Sequence, residues 1–496
     1  MNGLRIALVS LPKPGRSFIN RDLFGGMAID DQFGTDTGAS FVARLKSEGT
    51  VIPEIAFPYL GAVLADHDVR FFDGARIAQD SPPAAALQAD VVAYAPAWIV
   101  ASSSFANLGN EVDLLGALGR AAGARTVLFG AAAASFAAEI LARPGVDFVV
   151  DGEAEAVVPD LVARPDPESV AGVWRRTPRG PEGTGRRLVQ DLDALPFPDW
   201  SVSPVSRYRY FPLLKRRPFA TVQASRGCTY GCAFCPYPAA QGERFRARRP
   251  EAVVDEMAHL VERFGVRSIL FRDPNFALDR ARVVEICQGL IRRKVRVDWG
   301  CETRLDLLDD ELVGLLAAAG CRSAEVGMDS LSVAASARHG RKTIAPDEAR
   351  ARIRSLDRHG IASAALFLVG LPGDDEASIL DTIGFAVGLA PTYLNFEIPV
   401  PFPGTALYRD AVRDGRMAAL RLDDLRGRTP ILAAGSGLDA DRLHALQARA
   451  VRRFYVRPVR LLRTLRPHPF HSIAFLVAVG ARFLWDRWKA LWRGGR

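Results

Sequence analysis

Apolar positions in the first third of the chain come in short unbroken runs, separated by stretches with helical spacing. Runs at 5–10, 69–72, 91–95, 126–129 and 148–150 read as strands, and 58–65, 111–121 and 135–141 read as the helices between them. Unbroken apolar strands alternating with helices predict a parallel sheet covered on both faces, a doubly wound α/β (Rossmann-like) unit over 1–165. Such sheets bind ligands beyond the carboxyl ends of their strands. The Gly-, Asp- and Phe-rich stretch 19–50 is long for a loop in so regular a unit.

Residues 166–205 read as a linker, marked by Pro167, Pro178, Pro181, Pro196 and Pro198. A second alternating series follows, with strands at 219–224, 268–271, 297–299, 323–326, 365–369 and 393–399. Helices at 250–264, 281–294, 309–319, 346–360 and 376–389 lie between them, with Asp309 and Pro346 at helix starts and Gly265, Gly320 and Gly360 at helix ends. Six strand–helix units over 206–415 predict a partial (β/α)6 TIM barrel whose active face lies at the strand carboxyl ends. The remainder, 416–496, has no strand pattern and reads as a helical region.

Composition sets limits on function. Of 496 residues, 49% are hydrophobic and 24% charged, as in ordinary globular proteins. The net charge of +8 is a property of the tail: residues 451–496 hold eleven Lys/Arg against one Asp, while the first 450 hold 53 against 55. That distribution argues against a nucleic-acid partner for the main body. Within the tail, Trp485, Trp488 and Trp492 share an apolar stripe over 471–492, with Arg482, Arg487, Lys489 and Arg493 beside it. This is the pattern of a helix lying in a membrane interface; a terminal helix docked on the body or a dimer contact is the alternative. The start reads as a buried strand rather than a secretion signal, and no run approaches the roughly 18–20 apolar residues of a membrane span. A cytoplasmic protein, with peripheral contact at the inner membrane face through the tail, is the expectation.

Three of six cysteines fall within eight positions: Cys228-Thr229-Tyr230-Gly231-Cys232-Ala233-Phe234-Cys235. C-x3-C-x2-C on a short loop can supply thiolates to three irons of a [4Fe–4S] cluster and leave the fourth iron open to a small chelating ligand. A structural zinc site wants four ligands and no second Cys/His pair follows, while a disulfide would leave one cysteine over. Gly227 and Gly231 suit a tight loop. Cys287, Cys301 and Cys321 read as small core residues.

This loop, with aromatic Phe234 before its last cysteine and its place after a first barrel strand, resembles the signature of the radical S-adenosylmethionine (SAM) superfamily. The resemblance implies that Cys228, Cys232 and Cys235 ligate a [4Fe–4S] cluster whose open iron binds SAM. It implies further SAM contacts from Phe234, from Asp273 and Asn275 after the second strand, and from Arg304 after the third. Glu325 on the fourth strand and Gly370 after the fifth complete the set. Asp329 stands where the fourth-strand motif usually has Glu.

An α/β domain ahead of such a barrel resembles the cobalamin-binding class of these enzymes, and the likeness extends to Arg452-Arg453-Phe454-Tyr455. It implies cobalamin contacts from Ser102, Ser103, Gly130, Gly152 and Glu153. Two departures stand out. There is no D-x-H-x-x-G motif, His67 lying in another context, and the usual G-G-P-H reads Phe129-Gly130-Ala131-Ala132. The implied activity is C-methylation of an unactivated carbon through a 5′-deoxyadenosyl radical and methylcobalamin. It would need an external electron donor and a small-molecule or lipid-like substrate. The alternatives are a cobalamin-dependent cyclase or oxidative rearrangement enzyme, and, from another class, a cobalamin-binding sensor module.

Overall fold

The computed structural model describes residues 3–13, 18–20, 27–29, 48–164, 169–329, 339–340, 343–426, 431–432 and 438–455, with Val477 and Gly480. The basic Trp-bearing stretch and most of the loop at 19–50 lie outside the described residues.

The first domain is built on seven strands. They are β1 (Arg5–Ser10), β2 (Asp68–Asp73), β3 (Trp98–Ser102), β4 (Arg125–Phe129), β5 (Phe148–Val150), β6 (Val173–Thr177) and β7 (Gly180–Gly183). Their order is β7-β6-β5-β4-β3-β1-β2. The pairings from β2 to β5 are parallel, and β6 and β7 add an antiparallel edge. Every residue of β3 is buried, because helices α1 (Ala56–Val63) and α2 (Pro82–Tyr94) and their successors cover both faces.

Two expectations need correction. The run at 91–95 is not a strand: α2 starts at Pro82 and runs through Tyr94, and Ala95 leaves it in left-handed backbone at φ 48. The strand lies three residues later, at Trp98. An apolar run of five at a helix end carries no period that separates it from a strand. The stretch at 166–205 is not only a connection, since β6 and β7 within it extend the first sheet. Pro181 sits on the edge strand β7, where a missing N–H is tolerated.

The second domain holds six parallel strands in sequential order. They are β8 (Phe219–Val222), β9 (Ser268–Phe271), β10 (Asp298–Arg304), β11 (Cys321–Asp329), β12 (Ala362–Leu368) and β13 (Tyr393–Glu397). Helices such as α8 (Pro250–Phe264), α9 (Arg280–Arg292) and α12 (Glu376–Leu389) alternate with them. Side-chain oxygens fix some of the helix starts: Asp279 caps α9, accepting from the Arg282 N–H at 3.1 Å, and Asp309 caps the helix at Asp310–Ala318, accepting from the Leu312 N–H at 2.8 Å. A terminal helix, α14 (Ala440–Tyr455), covers the open edge. The Tyr455 hydroxyl donates to the Leu394 carbonyl at 2.8 Å and accepts from its N–H at 3.0 Å.

After β13 the chain returns to the first domain. Phe402, Leu422 and Leu425 are buried in that domain's hydrophobic cluster, and the Phe402 and Phe105 rings lie 4.6 Å apart. Arg143–Asp423 and Arg426–Asp113 ion pairs, both 2.8 Å, flank this return. Among the described residues no helix is long and apolar enough to cross a membrane.

Candidate functional site

The cysteine loop leaves the carboxyl end of β8. Asp273, after the neighbouring strand β9, sets its start: the fully buried carboxylate accepts from the Ala224 N–H at 2.8 Å and the Ser225 hydroxyl at 2.5 Å. Burial raises the Asp273 pKa, with Arg282 at 3.5 Å opposing. Gly227 turns the chain at φ +77, with a Cβ position only 2.1 Å from the Arg244 carbonyl oxygen, so no side chain fits there. Cys232 is buried, and Cys228 and Cys235 are half-buried. The Cys235 N–H donates to the Cys232 carbonyl at 3.1 Å, and the Ala233 N–H to the His339 carbonyl at 3.1 Å. Among the described residues no three His, Cys, Asp or Glu side chains converge on a single ion; three thiolates that each take a different iron need no such convergence.

Beside the loop, on the carboxyl half of the barrel sheet, lies a polar cluster of which Glu325 alone is among the expected SAM-contacting residues. Tyr237 donates to Glu302 at 2.9 Å, Arg272 pairs with the same carboxylate, and Tyr210 donates to Glu325. Burial pushes Arg272 down to about 10, while Glu325 and Asp273 oppose the shift.

The expected SAM-contacting residues split. Arg304 forms a two-point ion pair with Asp306 at 2.9 and 2.7 Å, and its guanidinium lies 4.6 Å from the ring centre of Tyr230 in the cysteine loop. Asn275 accepts from Thr303 at 2.7 Å, and its buried Nδ2 has no partner. Phe234 instead packs with Leu407, Ala411 and Leu432. Asp273 is turned toward the backbone of Ala224, and the Gly370 N–H donates to Asp374 at 3.2 Å.

A second feature lies between the domains. A cleft continuous with solvent opens beyond the carboxyl ends of β3, β4 and β5. It is lined by all five expected cobalamin-contacting residues: Ser102, Ser103, Gly130, Gly152 and Glu153. Gly152 adopts φ +128, and a Cβ there would sit 1.8 Å from the Arg187 carbonyl oxygen. The opposite wall comes from the barrel through Gln223, Arg226, Ala240 and Gln241.

Charges cross this interface. Glu153 receives Arg246 at 2.8 and 2.9 Å, the Val189 N–H at 2.6 Å and Arg226 at 3.2 Å. Arg226 also pairs with Glu155 and lies 5.3 Å from the Tyr59 ring centre. Glu153 therefore lines the cleft with its carboxylate engaged by arginines. Burial, which would raise its pKa, is outweighed by Arg226 and Arg246, which hold it below the usual carboxylate value. Among the described residues, three buried polar atoms of the cleft wall have no partner: Ser102 Oγ, Gln223 Nε2 and Gln241 Nε2. Native interiors rarely leave such atoms unmatched, so the cleft fits a ligand rich in hydrogen-bond acceptors.

Residues 222–386 match the model of the Radical SAM superfamily. The chain is 24% identical over 441 residues to an uncharacterised methyltransferase of Pyrococcus horikoshii, covering 85% of this chain and 91% of that one. It is 30% identical over 278 residues to the anaerobic magnesium-protoporphyrin IX monomethyl ester cyclase of Rubrivivax gelatinosus, covering 54% of this chain and about half (49%) of the cyclase. Among solved structures it resembles the radical SAM methyltransferase TsrM of Kitasatospora setae with cobalamin and [4Fe–4S] cluster bound. That match has a TM-score of 0.62 at 18% identity and covers 91% of this chain and 85% of TsrM. The cobalamin-dependent radical enzyme OxsB with aqua-cobalamin bound follows with a TM-score of 0.59 at 17% identity, covering 86% of this chain and 64% of OxsB. The three-cysteine loop at the mouth of the six-stranded parallel sheet thus lies in a Radical SAM domain, and with the doubly wound domain ahead of it the chain shares the fold of TsrM and OxsB.

Proposed function

We propose that this enzyme methylates an unactivated carbon of a small molecule. The observation that carries the reading is the juxtaposition of two sites. The three-cysteine loop and the acceptor-seeking cleft share one wall, because Gln223, Arg226 and Gln241 flank Cys228, Cys232 and Cys235 and also line the cleft. Several relatives are named as methyltransferases, among them a tryptophan 2-C-methyltransferase of Streptomyces laurentii and a bacteriochlorophyllide d C-12(1)-methyltransferase of Chlorobaculum tepidum.

Cys228, Cys232 and Cys235 would hold a [4Fe–4S] cluster with SAM at its open iron. Ser102, Ser103, Gly130 and Gly152, with Gln223 and Gln241 opposite, would hold cobalamin. When bound, the first pair supplies a carbon-centred radical and the corrinoid supplies a methyl group. The chain's own contribution is placement. Asp273 fixes the start of the cysteine loop through Ala224 and Ser225, and the Arg304–Asp306 pair holds Tyr230 under a guanidinium plane. Half-buried Tyr237 and Glu302 with buried Arg272 form a polar group that would keep a small substrate oriented beside the loop. No acid–base pair is required for hydrogen-atom removal. An external one-electron donor completes the reaction, and the protein works in the cytoplasm.

Anaerobic protein reconstituted with iron, sulfide and hydroxocobalamin, then given reductant and SAM, is expected to release 5′-deoxyadenosine together with S-adenosylhomocysteine. A second reading, a cyclase or oxidative rearrangement, is favoured by the match to the Rubrivivax gelatinosus cyclase. 5′-Deoxyadenosine without S-adenosylhomocysteine supports that reading, and release of neither overturns both.

A further inference from the structure

The segment that carries the cysteines begins and ends in the wall of the interdomain cleft. Gln223 stands before the loop and Gln241 after it, at the end of helix α7 (Tyr237–Gln241). Each side chain is bifunctional. The Gln223 Oε1 accepts from Arg226 Nε at 3.1 Å, and the Gln241 Oε1 accepts from the Gly227 N–H at 3.1 Å. One end of each amide therefore holds the residues immediately before Cys228. The other end, Nε2, is buried without a partner; the residues are 1% and 4% exposed, and both line the cleft. Ser102 Oγ, from the facing domain, is in the same condition at 4% exposure.

An amide whose oxygen is fixed has its NH2 direction fixed as well, since the group is planar. A ligand that accepts from both NH2 groups would lock the planes that anchor Arg226 and Gly227; a disordered cysteine loop would release them. We propose that Gln223 and Gln241 couple the cleft to the cysteine loop: acceptor groups on the rim of a corrinoid receive their NH2 groups, so cleft occupancy and metal loading of Cys228, Cys232 and Cys235 favour each other. The inference rests on the corrinoid reading above and goes beyond it by assigning the cross-talk to two named amides. Thermodynamic reciprocity requires that if the loaded loop tightens ligand binding, the ligand stabilises the loaded loop.

The test uses full-length protein, with and without anaerobic iron–sulfur reconstitution, titrated with hydroxocobalamin and followed by the visible absorbance of the bound corrinoid. Reconstitution is expected to tighten binding by about 5- to 150-fold. In Gln223→Glu and Gln241→Glu an oxygen remains for Arg226 and Gly227 while the donor is lost. The double variant should keep the cluster absorbance of the parent, bind hydroxocobalamin more weakly and show a reconstituted-to-apo affinity ratio near one. Gln223→Met/Gln241→Met removes both ends and should lose the ratio as well as slowing cluster assembly. No binding of hydroxocobalamin by the parent in either state overturns the corrinoid reading itself. Equal binding with and without the cluster overturns the coupling and leaves that reading intact. Parent-like affinities in the Glu double variant overturn the assignment to these amides.

Discussion

Replacing Glu153 by Gln tests the charge clamp between the domains. Glu153 is 7% exposed and faces two cations, Arg226 at 4% and Arg246 at 7%. Arg226 keeps Glu155 in the variant, whereas Arg246 loses its carboxylate and keeps only carbonyl partners, Val189 and Gln241, the latter at 2.6 Å. An arginine cannot discharge itself by losing a proton, so the uncompensated cation persists across the working pH range. Removing one partner of a buried pair costs about 3–5 kcal/mol; the two carbonyls that remain place this case at about 3 kcal/mol. With urea slopes of about 1–3 kcal/mol per molar, the unfolding midpoint should fall by about 1 M or more. Tryptophan fluorescence of the metal-free chain follows the transition. The companion variant Glu153→Leu/Arg246→Met removes both charges and should recover most of the loss, since an apolar pair of similar volume often equals a buried ion pair. A Glu153→Gln midpoint equal to the parent's, or a double variant whose loss is the sum of the single losses, would refute the clamp.

Three further outcomes follow from the same geometry. The Glu153 carboxyl sits below its ordinary value of 4.5, so the folded state holds that proton less tightly than the unfolded one; its stabilisation is complete above about pH 4.5 and disappears as pH falls through the depressed value. Urea midpoints of parent and Glu153→Gln should therefore differ by a constant amount from about pH 8 to 6 and converge in acid, and a gap that widens in acid would contradict the sign. Gly152→Ala forces a Cβ against the Arg187 carbonyl at a positive φ, and should lower thermal stability and hydroxocobalamin affinity together, whereas Gly123→Ala, with φ +63 and open space around it, should leave the affinity unchanged. Cys235→Ala should abolish the visible absorbance of the reconstituted cluster while leaving the far-ultraviolet circular dichroism unchanged; retained cluster absorbance would exclude Cys235 as a ligand.

Much of the fold is written in local patterns. The buried parallel strands leave continuous apolar runs such as 6–9 and 269–271, and the three cysteines announce their loop by spacing alone. What stays hidden in the sequence depends on neighbours distant along the chain. Strands β6 and β7 sit at a sheet edge, carry Arg, Glu and Pro, and so show no apolar run. The end of α2 and the start of β3 are hard to tell apart because both are apolar and only three residues separate them. The cleft residues Ser102, Gly130 and Gly152 were named through the resemblance to cobalamin-binding enzymes, and they lie at strand carboxyl ends, where such sheets bind ligands. Arg226 and Gln241 were not, since their meaning comes from contacts such as Arg226–Glu155, which spans 71 positions. The engagement of Asp273 with the loop backbone is likewise a property of register between β8 and β9.

The return of residues 402–425 to the first domain has a consequence for dissecting the molecule. Phe402, Leu422 and Leu425 complete the apolar interior around Phe105 and Leu108, so the amino-terminal unit borrows part of its interior from sequence some three hundred positions away. Excised alone, that unit would present a sticky scar where these three side chains had been, and it should aggregate rather than fold autonomously. The same stitching means that admitting a bulky guest between the halves cannot proceed by swinging one half freely. Any widening must be small, or must first unfasten this seam.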